Sequence, residues 1–194
     1  MKGRESGMPE ESDWEEFFDA GCIIETMECA RTGKESIAEF GSGYGTFTIP
    51  AAMRTSGTVR AFEIEQQLVT HVQERAMSLG LTNIIVMTRD IVAEGTSIPS
   101  ESVDHVMIYN LLHIEGPIGL LMEACRILRP GGTASIIHWK FDSATPRGPS
   151  MNIRPKPEQC RGWAEAAGFD FLRYQDLAKC CAYHYGLLVM RPAR

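Results

Sequence analysis

No run of apolar residues in this 194-residue chain reaches the ~20 needed to cross a bilayer. The N-terminal stretch also lacks the apolar core of a secretory signal. Together these absences predict no membrane partner and a cytoplasmic location. Positive charge is scarce as well: 19 Lys and Arg against 25 Asp and Glu leave a net charge of −6. Nucleic-acid binders concentrate Lys and Arg, so no nucleic-acid partner is expected. Cys22, Cys29, Cys125, Cys160, Cys180 and Cys181 include no CxxC spacing, so neither a metal site nor a thioredoxin-like redox pair is expected. Packing roles are expected for them, with the neighbours Cys180 and Cys181 the one pairing to watch. No Gly-Lys-Ser or Gly-Lys-Thr follows a glycine turn, which removes the phosphate-cradling P-loop.

What the chain does contain is alternation. Apolar runs at 36–40, 58–63, 84–88, 103–109 and 133–139 read as strands, separated by helical patterns at 46–55, 66–79 and 117–128. Crossovers of that length imply a mainly parallel sheet covered on both faces. A helix at 157–167 and strands at 169–174 and 183–190 follow, and the short linker between those strands favours an antiparallel pair. The expected fold is α/β, a Rossmann-like, seven-stranded, mostly parallel sheet with helices on both faces and an antiparallel last strand. Residues 13–31 read as two short helices broken at Gly21, with Gly33 as the closing cap.

The stretch Glu39-Phe40-Gly41-Ser42-Gly43-Tyr44-Gly45 follows the first strand. Glycines there let backbone approach a nucleotide-like ligand closely. The dehydrogenase fingerprint is G-x-G-x-x-G, whereas here Thr46 stands where its third glycine belongs. Glu39 beside the turn repels a pyrophosphate and attracts an ammonium. Glu63 ends the second strand, placed to accept both ribose hydroxyls, with Glu65 as the fallback. Asp90 follows the third strand, placed for an exocyclic amine, with Ile64 and Ile91 against the two ring faces. These acids stand at successive strand ends, where open α/β sheets bind ligands.

The set resembles the class I S-adenosylmethionine-dependent methyltransferases, and within them the UbiE-like, methyltransferase type 11 group. The resemblance is carried by Glu39-x-Gly41-x-Gly43-x-Gly45, Glu63 and Asp90. It continues through Ser102-Val103-Asp104-His105-Val106 to Asn110-Leu111-Leu112-His113, and through Leu128-Arg129-Pro130-Gly131-Gly132. It implies S-adenosyl-L-methionine as cofactor, with Glu39, Phe40, Gly41, Gly43, Gly45, Glu63, Ile64, Asp90, Ile91 and Asn110 around it. Glu39 and Asn110 would border the methionine end, and Leu111 and Leu112 would begin the acceptor floor.

A general base is needed only for an acceptor that loses a proton. The candidates are His113, past the fourth strand, and His138, at the end of the fifth; each can equally be a packed or capping residue. Trp14, Phe17 and Phe18 form either a lid over the acceptor or ordinary core. Arg147 and Arg154 either meet an anionic substrate or sit in a solvated loop. The expected organisation is one methyltransferase domain over 1–194. It comprises a flexible tail (1–12), an N-terminal helical cap (13–32), a cofactor-binding core (33–140), a substrate-side loop (141–156) and a C-terminal helix with a strand pair (157–194). The expected activity is methyl transfer to a small-molecule substrate by a monomer or homodimer. The alternatives are a non-catalytic binding or scaffold protein with this fold and, disfavoured by the glycine offset, a dehydrogenase.

Overall fold

The computed structural model describes residues 9–193, so most of the expected tail, residues 1–8, lies outside the described residues. The strands are β1 (Ile37–Phe40), β2 (Val59–Glu63), β3 (Ile84–Thr88), β4 (Val103–Tyr109), β5 (Leu128–Trp139), β6 (Asp170–Gln175) and β7 (His184–Met190). The helices are α1 (Glu11–Glu15), α2 (Ala20–Thr26), α3 (Thr48–Arg54), α4 (Gln66–Ser78), α5 (Ile91–Glu94), α6 (Pro117–Ile127) and α7 (Pro157–Ala166). One seven-stranded sheet runs β3-β2-β1-β4-β5-β7-β6. Pairing is parallel from β3 through β5, and β7 lies antiparallel between β5 and β6. The fold is the Rossmann-like one expected from the alternation.

Apolar residues at consecutive positions of β4 explain why this strand is central. Val106 and Ile108 face the helices α6 and α7, packing among Leu121, Ala124, Ile127 and Ala164. Met107 and Tyr109 point the other way, toward Ile23 and Ile24 of α2, Met27 just beyond it and Ala51 of α3. Successive side chains of a strand alternate faces, so a strand covered on both sides is apolar throughout. Each such large side chain, buried fully, contributes roughly 1.5–3 kcal/mol. The chain order turns back on itself at β1, with β2 and β3 to one side and β4 and β5 to the other. The crevice above the β1–β4 boundary is therefore the expected ligand position.

Several boundaries differ from the sequence reading. The break between the N-terminal helices falls at residues 16–19, where the Asp19 side chain caps α2 through the Cys22 N–H. Gly21 lies inside α2, and helix α1 begins within the expected tail. Gly33 does adopt a left-handed φ of 71° but stands seven residues beyond the end of α2. Strand β5 starts at Leu128, directly after α6, because Gly131 and Gly132 pair with the backbone of Arg191 instead of looping away. The short helix α5 was not anticipated. The cysteine expectation of packing roles is also corrected: Cys180 is joined to Cys22, 158 residues away, by a disulfide. It fastens α2 to the linker between β6 and β7. Cys29, Cys125, Cys160 and Cys181 are free thiols.

Candidate functional site

The turn after β1 is held from below by the neighbouring strand. The N–H groups of Gly41 and Ser42 both donate to the Phe62 carbonyl at 2.9 Å, and Gly45 N–H closes onto the Ser42 carbonyl at 2.9 Å. Gly41, Gly43 and Gly45 take φ values of 76°, 52° and 78°, the left-handed region that glycine enters without steric cost. The three are not equivalent. Gly41 and Gly43 lie on the wall of a cleft, whereas Gly45 faces away. A Cβ on Gly45 would stand 3.0 Å from a methyl of Val72, so this glycine lets α4 pack onto the turn.

Glu63, at the end of β2, is 5% exposed. Its carboxylate accepts from Gly43 N–H at 2.9 Å on one oxygen, and from Ile64 N–H at 2.8 Å and Glu65 N–H at 3.2 Å on the other. The acid thus ties the glycine turn to the β2 end while lining the cleft. Asp90 caps α5, accepting from Ala93 N–H at 3.0 Å, and lines the cleft together with Ile64 and Ile91. Asn110 closes β4 with φ 54°, a left-handed conformation that asparagine tolerates better than most residues. Its buried amide nitrogen and oxygen have no hydrogen-bond partner among the described residues. A strained residue with an unsatisfied amide on a cleft wall is a binding feature, because burying such a group unpaired costs about 1–3 kcal/mol.

Glu39 and Phe40, both expected at the ligand, sit on β1 beneath the turn and do not line the cleft. Phe40 packs edge-on against Phe62 in the core. Glu39 is buried and accepts from the Thr48 hydroxyl. Burial, with a smaller contribution from the charge on Glu63, pushes its carboxyl up to about 8, so in the free protein it is largely a neutral acid near pH 7.

On the far side, His113 lines the cleft and its Nδ1 lies 3.2 Å from Nε2 of His138. His138 is fully buried behind it and does not reach the wall. Burial, then the nearby His113, holds the His138 imidazole well below the usual histidine range, so it is neutral. The two candidate bases therefore form one dyad, with a single member facing the cleft.

The remaining wall is mixed, with Glu115, Ser150 and Asn152 as polar members beside an aromatic and apolar part. Trp14 from α1, Phe47, Tyr109, Trp139, Ile114 and Ile153 contribute to that part. Of the three aromatics read as either lid or core, Trp14 lines the cleft. Phe17 packs on Trp139 and Tyr183, and Phe18 on Phe47 and His184. Leu111 stands against Gly41, but Leu112 is buried in the core and forms no floor. Arg154 is buried and donates to the carbonyls of Lys140, Asp142, Arg147 and Pro149 and to the Thr145 hydroxyl, so it is the pin of the 141–153 loop. Arg147, by contrast, lines the cleft. Phe47, Tyr109 and Trp139 escaped the sequence reading because their apolar neighbours made them indistinguishable from core.

The cleft as a whole has a volume of about 1290 Å³. Typical small-molecule sites span roughly 300–1,000 Å³, so this one has room for two molecules side by side.

Residues 37–132 match a family described as a methyltransferase domain. A solved structure of an S-adenosylmethionine-dependent methyltransferase from Aquifex aeolicus is 22% identical, covers 93% of both chains and superposes with a TM-score of 0.79. The [4+2]-cyclase SpnF is 14% identical over 99% of this chain and 86% of its own, with a TM-score of 0.78. An S-adenosylmethionine-dependent methyltransferase from Mesorhizobium loti is 13% identical over 86% of this chain and 96% of its own, with a TM-score of 0.69. No curated protein sequence matches the chain. At these identities the structural likeness establishes the fold. Joined to the matched segment, which holds the glycine turn, Glu63, Asp90 and Asn110, it supports a class I methyltransferase.

Proposed function

We propose that this chain binds S-adenosylmethionine and uses it to methylate a small molecule. The observation that carries the reading is the switch-point cleft, where the turn glycines, Glu63, Asp90 and the unsatisfied amide of Asn110 converge in a space large enough for two ligands. The residues fit the cofactor. Gly41 and Gly43 offer backbone without a Cβ, Glu63 is placed for ribose hydroxyls, and Asp90 with Ile64 and Ile91 suits an adenine. The Asn110 amide suits the amino-acid end. Within the class, the run from Leu128 to Gly132 and the acids at 39, 63 and 90 favour the UbiE-like group. The cap, core, loop and C-terminal strand pair act as one methyltransferase domain.

When bound, the cofactor supplies a methyl carbon already activated by its sulfonium. What remains for the protein is orientation, exclusion of water and, for an acceptor bearing O–H or N–H, a place for the proton. His113 faces the cleft with its ring held through Nδ1 by neutral His138. His113 would take that proton. Trp14 and Trp139 shield the acceptor side.

A second reading is that the chain binds the cofactor without transferring methyl, since the similar SpnF is described as a cyclase. Calorimetric titration with S-adenosylmethionine, S-adenosylhomocysteine and NAD, followed by incubation of a metabolite extract with labelled methyl donor, separates the readings. Binding of both sulfur compounds with label transfer supports the proposal. Binding without transfer selects the second reading, and no binding at millimolar concentration sinks both.

A further inference from the structure

We infer that the second half of the cleft takes an aromatic acid, whose carboxylate is received by Arg147. The inference rests on the methyltransferase reading, which assigns the first half to the cofactor. Among the described cleft residues the Arg and Lys side chains are Arg89 and Arg147. Arg89 is committed to α5, donating to the carbonyls of Gly95 at 2.6 Å and Glu94 at 3.5 Å. The Arg147 guanidinium makes no hydrogen bond among the described residues. Its nearest partner is the Asp13 carboxylate on α1, at 3.8 Å, with the two side chains 43% and 57% exposed. An exposed pair at that distance is weak and easily exchanged.

The backbone carrying Arg147 is, in contrast, fixed. Arg154 holds the Arg147 carbonyl at 3.2 Å and the Pro149 carbonyl at 2.8 Å. Gly148, at φ 113°, packs so tightly that a Cβ would lie 2.8 Å from both the Arg154 guanidinium and the Trp139 ring. A cation without hydrogen bonds among the described residues thus stands on a rigid support beside the Trp139 indole, in a cleft that Trp14 also lines. Flat aromatic surfaces with one guanidinium select a planar apolar body bearing a carboxylate, which Arg can engage in bidentate fashion. In the free protein Asp13 occupies that guanidinium, so the acceptor's carboxylate displaces it.

Displacement makes two variants act in opposite directions. Both Arg147→Gln and Asp13→Asn break the α1–loop ion pair, so a purely structural role moves them alike. A binding role makes Arg147→Gln weaken the acid and Asp13→Asn tighten it. The test is calorimetric titration of protein saturated with S-adenosylhomocysteine, using 4-hydroxybenzoate and 1-hydroxy-2-naphthoate beside their carboxamides. The acids are expected to bind about tenfold more tightly than the amides, the scale of one hydrogen bond to a charged group. Arg147→Gln should erase that preference and Arg147→Lys retain part of it. Asp13→Asn should tighten the acids by about two- to fivefold while leaving the amides unchanged, the size of an exposed pair. Equal affinity for acid and amide, no binding of either acid, or weakening of the acids by both variants overturns the inference while leaving the methyltransferase reading intact. Failure of S-adenosylhomocysteine to bind removes the methyltransferase reading, and this inference with it.

Discussion

Replacing Glu63 with glutamine changes one atom in the side chain and removes one charge, yet it should cost this protein both stability and cofactor affinity. The carboxylate accepts three backbone N–H bonds, one from Gly43 and two from Ile64 and Glu65. An amide has one oxygen. Whichever way it turns, its NH2 group faces an N–H donor at one side, so at least one bond to a charged acceptor is lost, worth about 1.5–3 kcal/mol. The surviving bonds become neutral ones, roughly half as strong. At 5% exposure water offers little compensation. A small offset comes from Glu39, whose raised carboxyl owes part of its shift to the Glu63 charge. The net expectation is a loss of about 2–4 kcal/mol. Urea unfolding at pH 7 without ligand reads this directly, and titration with S-adenosylhomocysteine under folding conditions reads the binding separately. A stability change under about 0.5 kcal/mol would refute the claim that the acid ties the turn to β2. Unchanged affinity in the folded variant would remove Glu63 from the ligand.

Gly45→Ala should destabilise by about 2–4 kcal/mol, combining a left-handed alanine with contact against Val72. Adding Val72→Ala should relieve the contact but not the backbone, so a double-mutant cycle with no coupling would show the packing argument to be wrong. Glu39 makes stability depend on pH. Its folded-state pKa of about 8 exceeds the ordinary 4.5, so between these values the native state holds the extra proton. Stability is therefore full below about pH 4.5 and declines by up to about 1.4 kcal/mol per unit as pH rises toward 8. Glu39→Gln should flatten that slope in urea titrations run from pH 5 to 8, and an unaltered slope would assign it elsewhere. Thiol titration of the unfolded, unreduced protein should count four cysteines, rising to six after reduction. Cys22→Ser should lower stability by about 2–5 kcal/mol, checked by thermal unfolding with and without reductant.

Features that depend on local pattern were readable in the sequence. The strands from 84 to 88 and 103 to 109 announce themselves through the apolar runs 84–87 and 106–109, and Gly41, Glu63 and Asp90 through their places at strand ends. What escaped was set by distant parts of the chain. The start of β5 at Leu128 depends on Arg191, which lies beyond β7. Helix α5 is four residues long and too short to show periodicity, although Asp90 is an ordinary capping residue. Arg147 and Arg154 look alike in sequence, yet one is buried among carbonyls and the other borders the cleft. Glu39 carries an acid's name but a neutral acid's chemistry, because only the packing above and below β1 removes it from water. The Cys22–Cys180 bond links residues 158 positions apart, which no spacing rule reaches.

That disulfide also closes much of the polypeptide, topologically, into a ring. Residues 22 to 180 form the closed part, and the substrate-side loop at 141–153 is an arc of it. A protease that cuts once in that arc opens the ring without releasing a fragment. The two pieces stay covalently joined, with the capping helices still anchored to the C-terminal strands, until a reductant separates them.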